Sequence, residues 1–162
     1  MRLGIDVDGK RLNCRAVAVI IENGRVLLHR THSDDFWALP GGGIEFGETA
    51  AATVVRELAE ELGAVFQVER LLWVVENFYT YGLPTHEIGF YFLVRAEAGW
   101  PGLEQQTFCT EEDGVEVIFA WCDLAEVATT RLYPSFLRAA LCDLPAAPMM
   151  IAHTDEEDTA TL

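Results

Sequence analysis

The sequence is poor in basic residues. Its 162 residues include 11 Lys and Arg against 26 Asp and Glu, so the formal net charge at pH 7 is −15. Proteins that hold nucleic acid on a broad surface do so with clustered Lys and Arg. The charge therefore argues against such a surface, and we expect no nucleic-acid partner. It also implies that an anionic substrate would need a metal ion to offset its charge.

Cysteine is also scarce, and long apolar runs are missing. The four cysteines lie far apart with no C-x-x-C pair, at Cys14, Cys109, Cys122 and Cys142. This spacing suggests neither a zinc site nor a disulfide framework, and reduced thiols are typical of cytosolic proteins. No apolar run approaches the roughly 20 residues that span a bilayer, and the sequence has no N-terminal signal pattern. We therefore expect a cytoplasmic protein without a membrane partner.

The remaining composition predicts one ordinary domain. A chain of 162 residues with 51% apolar composition can bury a substantial core. We place this domain at residues 1–148. Residues 149–162 follow two prolines and carry a run of acids, which predicts a flexible acidic tail. The run consists of Asp155, Glu156, Glu157 and Asp158.

Turn signals and apolar periodicity predict an α/β chain. Asp8-Gly9 and Asn23-Gly24 each separate two strand-like runs, which predicts two hairpins near the start of the chain. Residues 77–85 contain Gly and Pro among aromatic residues and are expected to be a turn or an exposed loop between strands. Residues 99–114 are polar and contain Gly and Pro, which predicts a loop. The other expected elements are strands at 65–76, 88–96 and 115–122, a short helix capped by Asp123, and a last helix from Pro134 to Leu144.

Residues 49–62 have the composition of a helix and carry three carboxylates on one side. At about 100° per residue, Glu57, Glu60 and Glu61 fall within roughly one quadrant of the helix. The apolar residues cluster on the opposite side, at Val55, Leu58, Ala59 and Leu62. Gly63 stands where a left-handed C-cap would end the helix. Because carboxylates this close repel one another, a divalent cation such as Mg2+ would stabilise them. A solvated acidic helix face is the alternative.

The stretch from Gly42 to Ala64 resembles the Nudix box, G-x5-E-x7-R-E-U-x-E-E-x-G-U, in which U is an aliphatic residue. The matching positions are Gly42, Glu48, Arg56, Glu57, Leu58, Glu60, Glu61 and Gly63. Ala64 departs from the pattern, since a larger aliphatic residue is usual there. The W-x-L-P-G-G lead-in that begins at Trp37 is also similar to the Nudix family.

The resemblance implies a fold and a set of site residues. The fold would be a Nudix-type α/β/α sandwich with a central mixed sheet. Glu57, Glu60 and Glu61 would hold Mg2+ or Mn2+, joined by the backbone carbonyl of Gly42. The resemblance makes Glu48 and Arg56 supports that orient the neighbouring carboxylates and brace the loop. It makes Glu57 the first choice for the general base, with three glutamates outside the box left open: Glu87, Glu112 and Glu116.

The implied reaction is hydrolysis of a phosphoanhydride bond in a nucleoside diphosphate linked to another group. The competing hypothesis is a nucleotide-binding or regulatory module that keeps the Nudix fold without turnover. Such proteins tend to lose box carboxylates, whereas this sequence retains them. Processing of a capped or triphosphorylated RNA end is disfavoured by the acidic charge. The expected partner is a small-molecule nucleotide, and the resemblance leaves open a homodimer.

Overall fold

The computed structural model describes residues 1–112 and 114–155. Over these residues the chain forms nine strands, three α-helices and one 3-10 turn. The strands are β1 (Gly4–Val7), β2 (Lys10–Glu22), β3 (Arg25–Thr31), β4 (Gly41–Gly43), β5 (Phe66–Tyr81), β6 (Leu83–Ala96), β7 (Thr107–Glu112), β8 (Val115–Asp123) and β9 (Met149–Thr154). The helices are α1 (Ala50–Leu62), α2 (Leu124–Val127) and α3 (Leu137–Ala140), and the 3-10 turn is Pro101–Leu103.

Both predicted hairpins are confirmed. Asp8 and Gly9 have φ values of 50° and 72°, and they join β1 to β2. Asn23 and Gly24 have φ values of 51° and 75°, and they join β2 to β3. Positive φ at both central residues is the requirement of a two-residue type I′ turn, which Asp-Gly and Asn-Gly meet most readily.

The strands form one mixed sheet between two helical layers. The order is β7-β8-β3-β2-β6-β5-β9, with β1 and β4 also paired to β2. The pairs β2/β6 and β5/β9 are parallel and the others are antiparallel. Side chains of β2 alternate between the two cores, as period-two geometry requires. Ala16 and Ala18 pack with α1, whereas Val17 and Val19 pack with α2 and α3. The predicted α/β/α sandwich is confirmed.

The exposed loop that we considered over residues 77–85 is wrong, whereas the alternative of a turn between two strands is confirmed at Gly82. β5 runs on to Tyr81, and β6 begins at Leu83, so the two strands form a long hairpin with Gly82 at its tip. Gly82 has a φ of 71° and is the point where the chain reverses. The aromatic residues before the tip favour strand structure, and continuous pairing with β6 overrides the turn signals. Asn77 is therefore buried within β5, with 3% of its surface exposed.

The loop expected at residues 99–114 is also wrong in part. It contains the 3-10 turn and β7, which pairs with β8 along Thr107–Glu112. Phe108 stacks on Phe119 with ring centroids 5.3 Å apart, so apolar packing holds this strand against β8. The side chain of Glu112 and all of Asp113 lie outside the described part of the chain.

The last helix is shorter than predicted. Only Leu137–Ala140 is α-helical. On either side the backbone makes the tighter bonds of a 3-10 turn, from Leu137 N–H to the Pro134 carbonyl oxygen at 3.1 Å and from Asp143 N–H to the Ala140 carbonyl oxygen at 3.3 Å. α2 follows Asp123 as predicted, although the Asp123 side chain makes no capping hydrogen bond.

The sheet extends beyond the domain end that we predicted at residue 148. Met149–Thr154, expected to begin a flexible tail, forms β9 and pairs in parallel with Trp73–Phe78 of β5. Asp155 continues this anchoring, because its N–H donates to the Phe78 carbonyl oxygen at 3.0 Å. The pairing partner of β9 is the otherwise open edge of β5, which the sequence alone does not reveal. Glu156, Glu157 and Asp158 lie outside the described residues.

Two general findings concern the described residues. None of the helices within 1–112 and 114–155 has the length and apolar character needed to cross a bilayer. The four cysteines all fall within these ranges and are free thiols.

Candidate active site

The acidic helix forms as the sequence predicts. α1 follows Thr49, whose Oγ1 accepts a hydrogen bond of 3.2 Å from the Ala52 N–H. It ends at Gly63, which has a φ of 63° and donates its N–H to the Ala59 carbonyl oxygen. Both caps satisfy backbone groups at the helix ends. The helix is therefore fixed at both ends, and its side chains take defined positions.

Two of the three helix carboxylates lie on the buried face of α1. Glu57 and Glu61 have 2% and 7% of their surface exposed, whereas the Glu60 side chain is 63% exposed. We predicted that the carboxylates would lie opposite a packing side that includes Ala59. That prediction is wrong, because Ala59 is exposed and Glu57 is buried beside Leu58. The reason is that β4 lies against the helix and covers part of its acidic side.

Gly42 makes this close contact between β4 and the helix possible. It lies opposite Ala16 in the pairing of β4 with β2. A Cβ atom at Gly42 would overlap with all three atoms of the Glu57 carboxyl group. Only glycine leaves room for a side chain this close to the backbone. The Glu57 carboxylate therefore packs directly against β4, whose three residues are all glycine.

Arg56 joins the predicted site residues into one network. Its Nε and Nη2 donate to the two oxygens of Glu48, each at 3.0 Å. Its Nη1 donates to Glu57 Oε1 at 2.8 Å and to Glu60 Oε2 at 3.3 Å. Nη2 also donates to the Gly43 carbonyl oxygen at 3.5 Å. The guanidinium group is thus the positive centre of an acidic cluster and links it to β4.

Glu48 anchors the other side of this network. Its Oε2 accepts hydrogen bonds from Thr53 Oγ1 at 2.7 Å and from the Glu45 N–H at 3.4 Å. The Arg56 guanidinium, followed by the Thr53 hydroxyl, lowers the pKa of Glu48 to about 2. Hydrogen bonds to the charged form favour that form. Glu48 is therefore ionised near neutral pH and holds Arg56 in one orientation.

The donor set of α1 fits a hard divalent cation. Glu57, Glu60 and Glu61 offer carboxylate oxygens along one helical turn, and Gly42 brings a backbone carbonyl to the same region. Such oxygen donors suit Mg2+ and related ions. Among the residues that the structure describes, no three His, Cys, Asp or Glu side chains already converge on a common point. Arg56 bridges Glu57 and Glu60 instead, so cation binding would require these side chains to turn away from the guanidinium.

The three glutamates outside the box differ in position. Glu87 is 4% exposed on β6, where its Oε2 accepts hydrogen bonds from Asn13 Nδ2 at 3.0 Å and Tyr79 Oη at 3.1 Å. Glu116 lies on β8 with 53% of its side chain exposed and contacts the imidazole of His32. The Glu112 backbone is the end of β7. Of the two whose side chains the structure describes, Glu87 is the one that is buried beside a cavity.

That cavity has a volume of about 610 Å³ and lies on the side of the sheet that carries α3. Its lining includes Arg15, His29, Phe36, Asn77, Tyr79 and Glu87. Arg15 connects the cavity to β4, since its Nη2 donates to the Gly41 carbonyl oxygen at 3.0 Å. Sequence reasoning missed Arg15 and Asn77. Neither belongs to a motif, and their one signal is a polar residue two positions from a buried valine of the same strand, Val17 for Arg15 and Val75 for Asn77.

His29 also lines this cavity. Burial, with Arg15 nearby adding to the effect, lowers the pKa of His29 to about 3. The imidazole is therefore neutral near pH 7, because burial disfavours the charged form. Its ring packs against Phe119 at 5.6 Å between centroids.

Comparison with known proteins gives the class of this fold and site. The chain matches the NUDIX domain over residues 12–141. It therefore belongs to the Nudix family, and the resemblance seen in the sequence is confirmed. An RNA pyrophosphohydrolase of Psychrobacter sp. (strain PRwf-1) is 31% identical over 166 residues, which cover 91% of this chain and 93% of that protein. An RNA pyrophosphohydrolase of Haemophilus ducreyi is 38% identical over 109 residues, covering 64% and 51%. The chain thus spans about half the length of several curated relatives.

Solved structures agree with this assignment. A MutT NUDIX hydrolase from Burkholderia pseudomallei is 28% identical with a TM-score of 0.53, over 70% of this chain and 84% of that one. An ADP-ribose pyrophosphatase from Streptococcus suis has a TM-score of 0.60 at 18% identity, over 87% and 98%. The second likeness concerns the fold alone.

Proposed function

We propose that this protein is a divalent-cation-dependent hydrolase that cleaves a phosphoanhydride bond in a nucleoside diphosphate derivative. The observation that carries the proposal is the Nudix box on β4, α1 and the loop between them, which matches the pattern at every defined position except Ala64. Its Glu57 carboxylate rests on Gly42, and its Arg56 guanidinium links Glu48, Glu57 and Glu60. Membership of the family and the pyrophosphohydrolase names of relatives support the same activity.

The cation that we propose is Mg2+, with Mn2+ as a substitute. Glu57, Glu60, Glu61 and the Gly42 carbonyl would hold it. When bound, it would polarise phosphoryl oxygens and lower the pKa of an attacking water. Arg56 orients Glu57 and Glu60 through its hydrogen bonds, and Glu48 orients Arg56 in turn. Such supporting groups commonly change metal affinity or activity by about 10- to 100-fold when they are removed.

Glu57 remains our choice for the general base. It is buried against β4, where bulk water is excluded and electrostatic interactions are strengthened. Glu87 is the alternative with most support, because it is buried and lines the cavity. Glu116 is exposed and engaged by His32, which makes it a poorer candidate. Glu112 stays a prediction.

The substrate that we propose is a small nucleotide. A cavity of about 610 Å³ lies within the usual range of small-molecule sites. The net charge of −15 disfavours a long nucleic-acid ligand. A second candidate is the 5′ end of an RNA, because several relatives are named RNA pyrophosphohydrolase. A cytoplasmic location and a homodimer also remain predictions.

A substrate panel tests the proposal. ADP-ribose, NADH, diadenosine polyphosphates, ordinary and oxidised nucleoside triphosphates and a 5′-triphosphorylated RNA are incubated with Mg2+, and released phosphate and nucleotides are quantified. We expect turnover of at least one small nucleotide. Turnover of RNA alone would favour the second candidate, and binding without turnover would favour a regulatory module.

A matched pair of variants connects any turnover to the box. Glu60→Gln removes one carboxylate that is largely exposed, so the fold should persist. We expect turnover to fall by at least about 100-fold, since a direct cation ligand should matter no less than its supports. Glu126→Gln, on the exposed side of α2, is the control and should leave turnover unchanged. Equal rates for both variants would contradict the proposed role of the helix carboxylates.

A further inference from the structure

A row of polar residues crosses three neighbouring strands, and two of its members, Asn77 and Glu87, line the cavity. Asn13 of β2 lies opposite Glu87 of β6, and Glu87 lies opposite Asn77 of β5. Residues directly opposite each other project from the same face of a sheet. The next row toward the centre of the sheet consists of Arg15, Gly89 and Val75. Two successive rows therefore place the Asn77 amide and the Glu87 carboxylate beside the guanidinium group of Arg15.

Apart from Arg15 and Tyr79, the neighbours of this polar row on the same face are mostly apolar. Val17, Trp73, Val75 and Tyr91 on the same side are buried in the hydrophobic core. Asn77 is 3% exposed, and its Oδ1 is buried without a hydrogen-bond partner among the described residues. Burying a polar group without a partner is costly, and such groups commonly belong to a binding site. The Asn77 amide oxygen thus lacks a donor that a ligand could supply.

Glu87 is the second acceptor of the row. Its Oε2 is held by Asn13 and Tyr79, while neither of those bonds uses Oε1. Burial raises the pKa of Tyr79, so the phenol keeps its proton and donates to Glu87. The carboxylate is therefore fixed in orientation beside Asn77. Side chains directly opposite in an antiparallel pair lie about 5 Å apart at Cβ, which suits two adjacent hydroxyl groups.

Arg15 occupies the junction of the cavity and the box. Its Nη2 is held by the Gly41 carbonyl, and its Nε is buried without a hydrogen-bond partner in residues 1–112 and 114–155. A guanidinium group with an unused donor is suited to a phosphate oxygen. In a 5′-nucleotide a single CH2 group joins the sugar to the phosphate ester. Arg15 lies in one row of the sheet, and Asn77 and Glu87 lie in the next row. A 5′-nucleotide has its phosphate and its sugar in the same order.

An aromatic group lines the same cavity near the tip of the β5–β6 hairpin. Phe36 contacts Tyr81 and Tyr133 edge to face, with ring centroids 5.9 Å and 5.6 Å apart. Tyr81 also donates its hydroxyl hydrogen to Asp34 Oδ1 at 2.9 Å, which ties the hairpin tip to this region. Planar bases stack favourably on such rings.

We propose that this cavity selects ribonucleoside 5′-diphosphate groups whose 2′- and 3′-hydroxyls are both free. Asn77 and Glu87 accept hydrogen bonds from the two hydroxyls, Arg15 binds a phosphate oxygen, and Phe36 contacts the base. The inference deepens the proposed hydrolase function and rests on it for the identity of the ligand class. It excludes the first nucleotide of an RNA, because its 3′ oxygen is esterified and has no hydrogen to donate.

The test is nucleotide binding without turnover. Calorimetry in EDTA measures the Kd of ADP, 2′-deoxy-ADP and 3′-phospho-ADP, with the same series for GDP and UDP. For at least one base we expect the free diol to bind at least about 10-fold more tightly than either analogue, as sites that pair a substrate hydroxyl do. Equal binding of the three ligands, or no binding of any ribonucleoside diphosphate, would overturn the proposal.

The Asn77→Leu variant separates this role from a structural one. Leucine has a similar shape and removes the buried unpartnered oxygen, so thermal stability should be kept or raised. The preference for the free diol should fall to less than about 3-fold. Gln67→Leu, at an exposed position of the same strand, is the control and should keep the full preference. An unchanged preference in Asn77→Leu would refute the assignment.

These outcomes remain distinct from those of the hydrolase proposal. Binding with a diol preference but no hydrolysis in Mg2+ would leave the site assignment standing and remove the proposed activity. Hydrolysis without any diol preference would leave the proposed activity standing and remove the site assignment.

Discussion

Replacement of Arg56 by methionine removes the charge that holds the acidic cluster together, while keeping most of the apolar stem. The lost partners are Glu48, Glu57, Glu60 and the Gly43 carbonyl. Removing one partner of a buried ion pair typically costs about 3 to 5 kcal/mol. Arg56 keeps 31% of its side chain in solvent, so we expect the lower end, about 3 kcal/mol of unfolding free energy.

Urea unfolding followed by tryptophan fluorescence at pH 7 measures this loss. The control is Arg11→Ala, which removes an equally bidentate pair with Asp6, at 2.8 and 2.9 Å, that is exposed to solvent. Its unfolding midpoint should not change measurably, because exposed pairs contribute little. A loss of less than about 1 kcal/mol in Arg56→Met would refute the view that Arg56 is the partly buried centre that holds the cluster together.

The pH dependence gives an independent check on the same variant. The pKa of Glu48 is lowered from 4.5 to about 2 in the folded state. Its pairing with Arg56 therefore stabilises the fold fully above pH 4.5, and this contribution is lost as the pH falls toward 2. The difference in stability between the wild type and Arg56→Met should shrink between pH 5 and pH 3. A difference that stays constant over that range would contradict the assignment of Glu48 as the main partner.

Two further predictions follow from buried contacts. Gly42→Ala should lower both the free energy of unfolding and turnover, because its Cβ would overlap with the Glu57 carboxyl group. The control in the same urea and phosphate-release assays is Gly4→Ala, whose Cβ would make only ordinary contacts. Equal effects of the two substitutions would refute the close approach of Gly42 to Glu57. His29→Gln should remove the part of the stability loss that begins as the pH falls below about 6.5. That loss occurs because the folded pKa is about 3, and its slope is at most about 1.4 kcal/mol per pH unit. A curve of unfolding free energy against pH for His29→Gln that runs parallel to the wild-type curve would count against a neutral buried imidazole.

Locally determined elements could be predicted from the sequence. Asp8-Gly9 and Asn23-Gly24 supply the positive φ values of their turns within two residues. α1 carries its own cap signals in Thr49 and Gly63. Short-range geometry decides these features, so no knowledge of the rest of the fold is needed.

Elements that depend on distant partners could not be predicted. Met149–Thr154 becomes a strand because β5 offers an open edge, although Pro148 and the acids after it suggest a tail. Asn77 looks like a turn residue, yet pairing with β6 carries it into a buried strand. In both cases tertiary pairing overrides local propensity.

The candidate site likewise has one part that could be predicted from the sequence and one part that could not. Glu57, Glu60, Glu61 and Arg56 lie within six residues, so one helix defines their arrangement. The burial of Glu57 depends on how closely Gly42 approaches it, and helical periodicity cannot show this. The cavity floor is assembled from β2 and from the β5–β6 hairpin, which lies far from β2 in sequence. No motif spans them, and the structure is needed to bring them together.

Anomalous diffraction from crystals soaked with Mn2+ and a non-hydrolysable nucleotide analogue tests the central claim most directly. We expect the manganese peak between the carboxylates of Glu57, Glu60 and Glu61 and the Gly42 carbonyl, in contact with the analogue's phosphates. A peak elsewhere in the protein, with this cluster still closed around Arg56, would contradict the account.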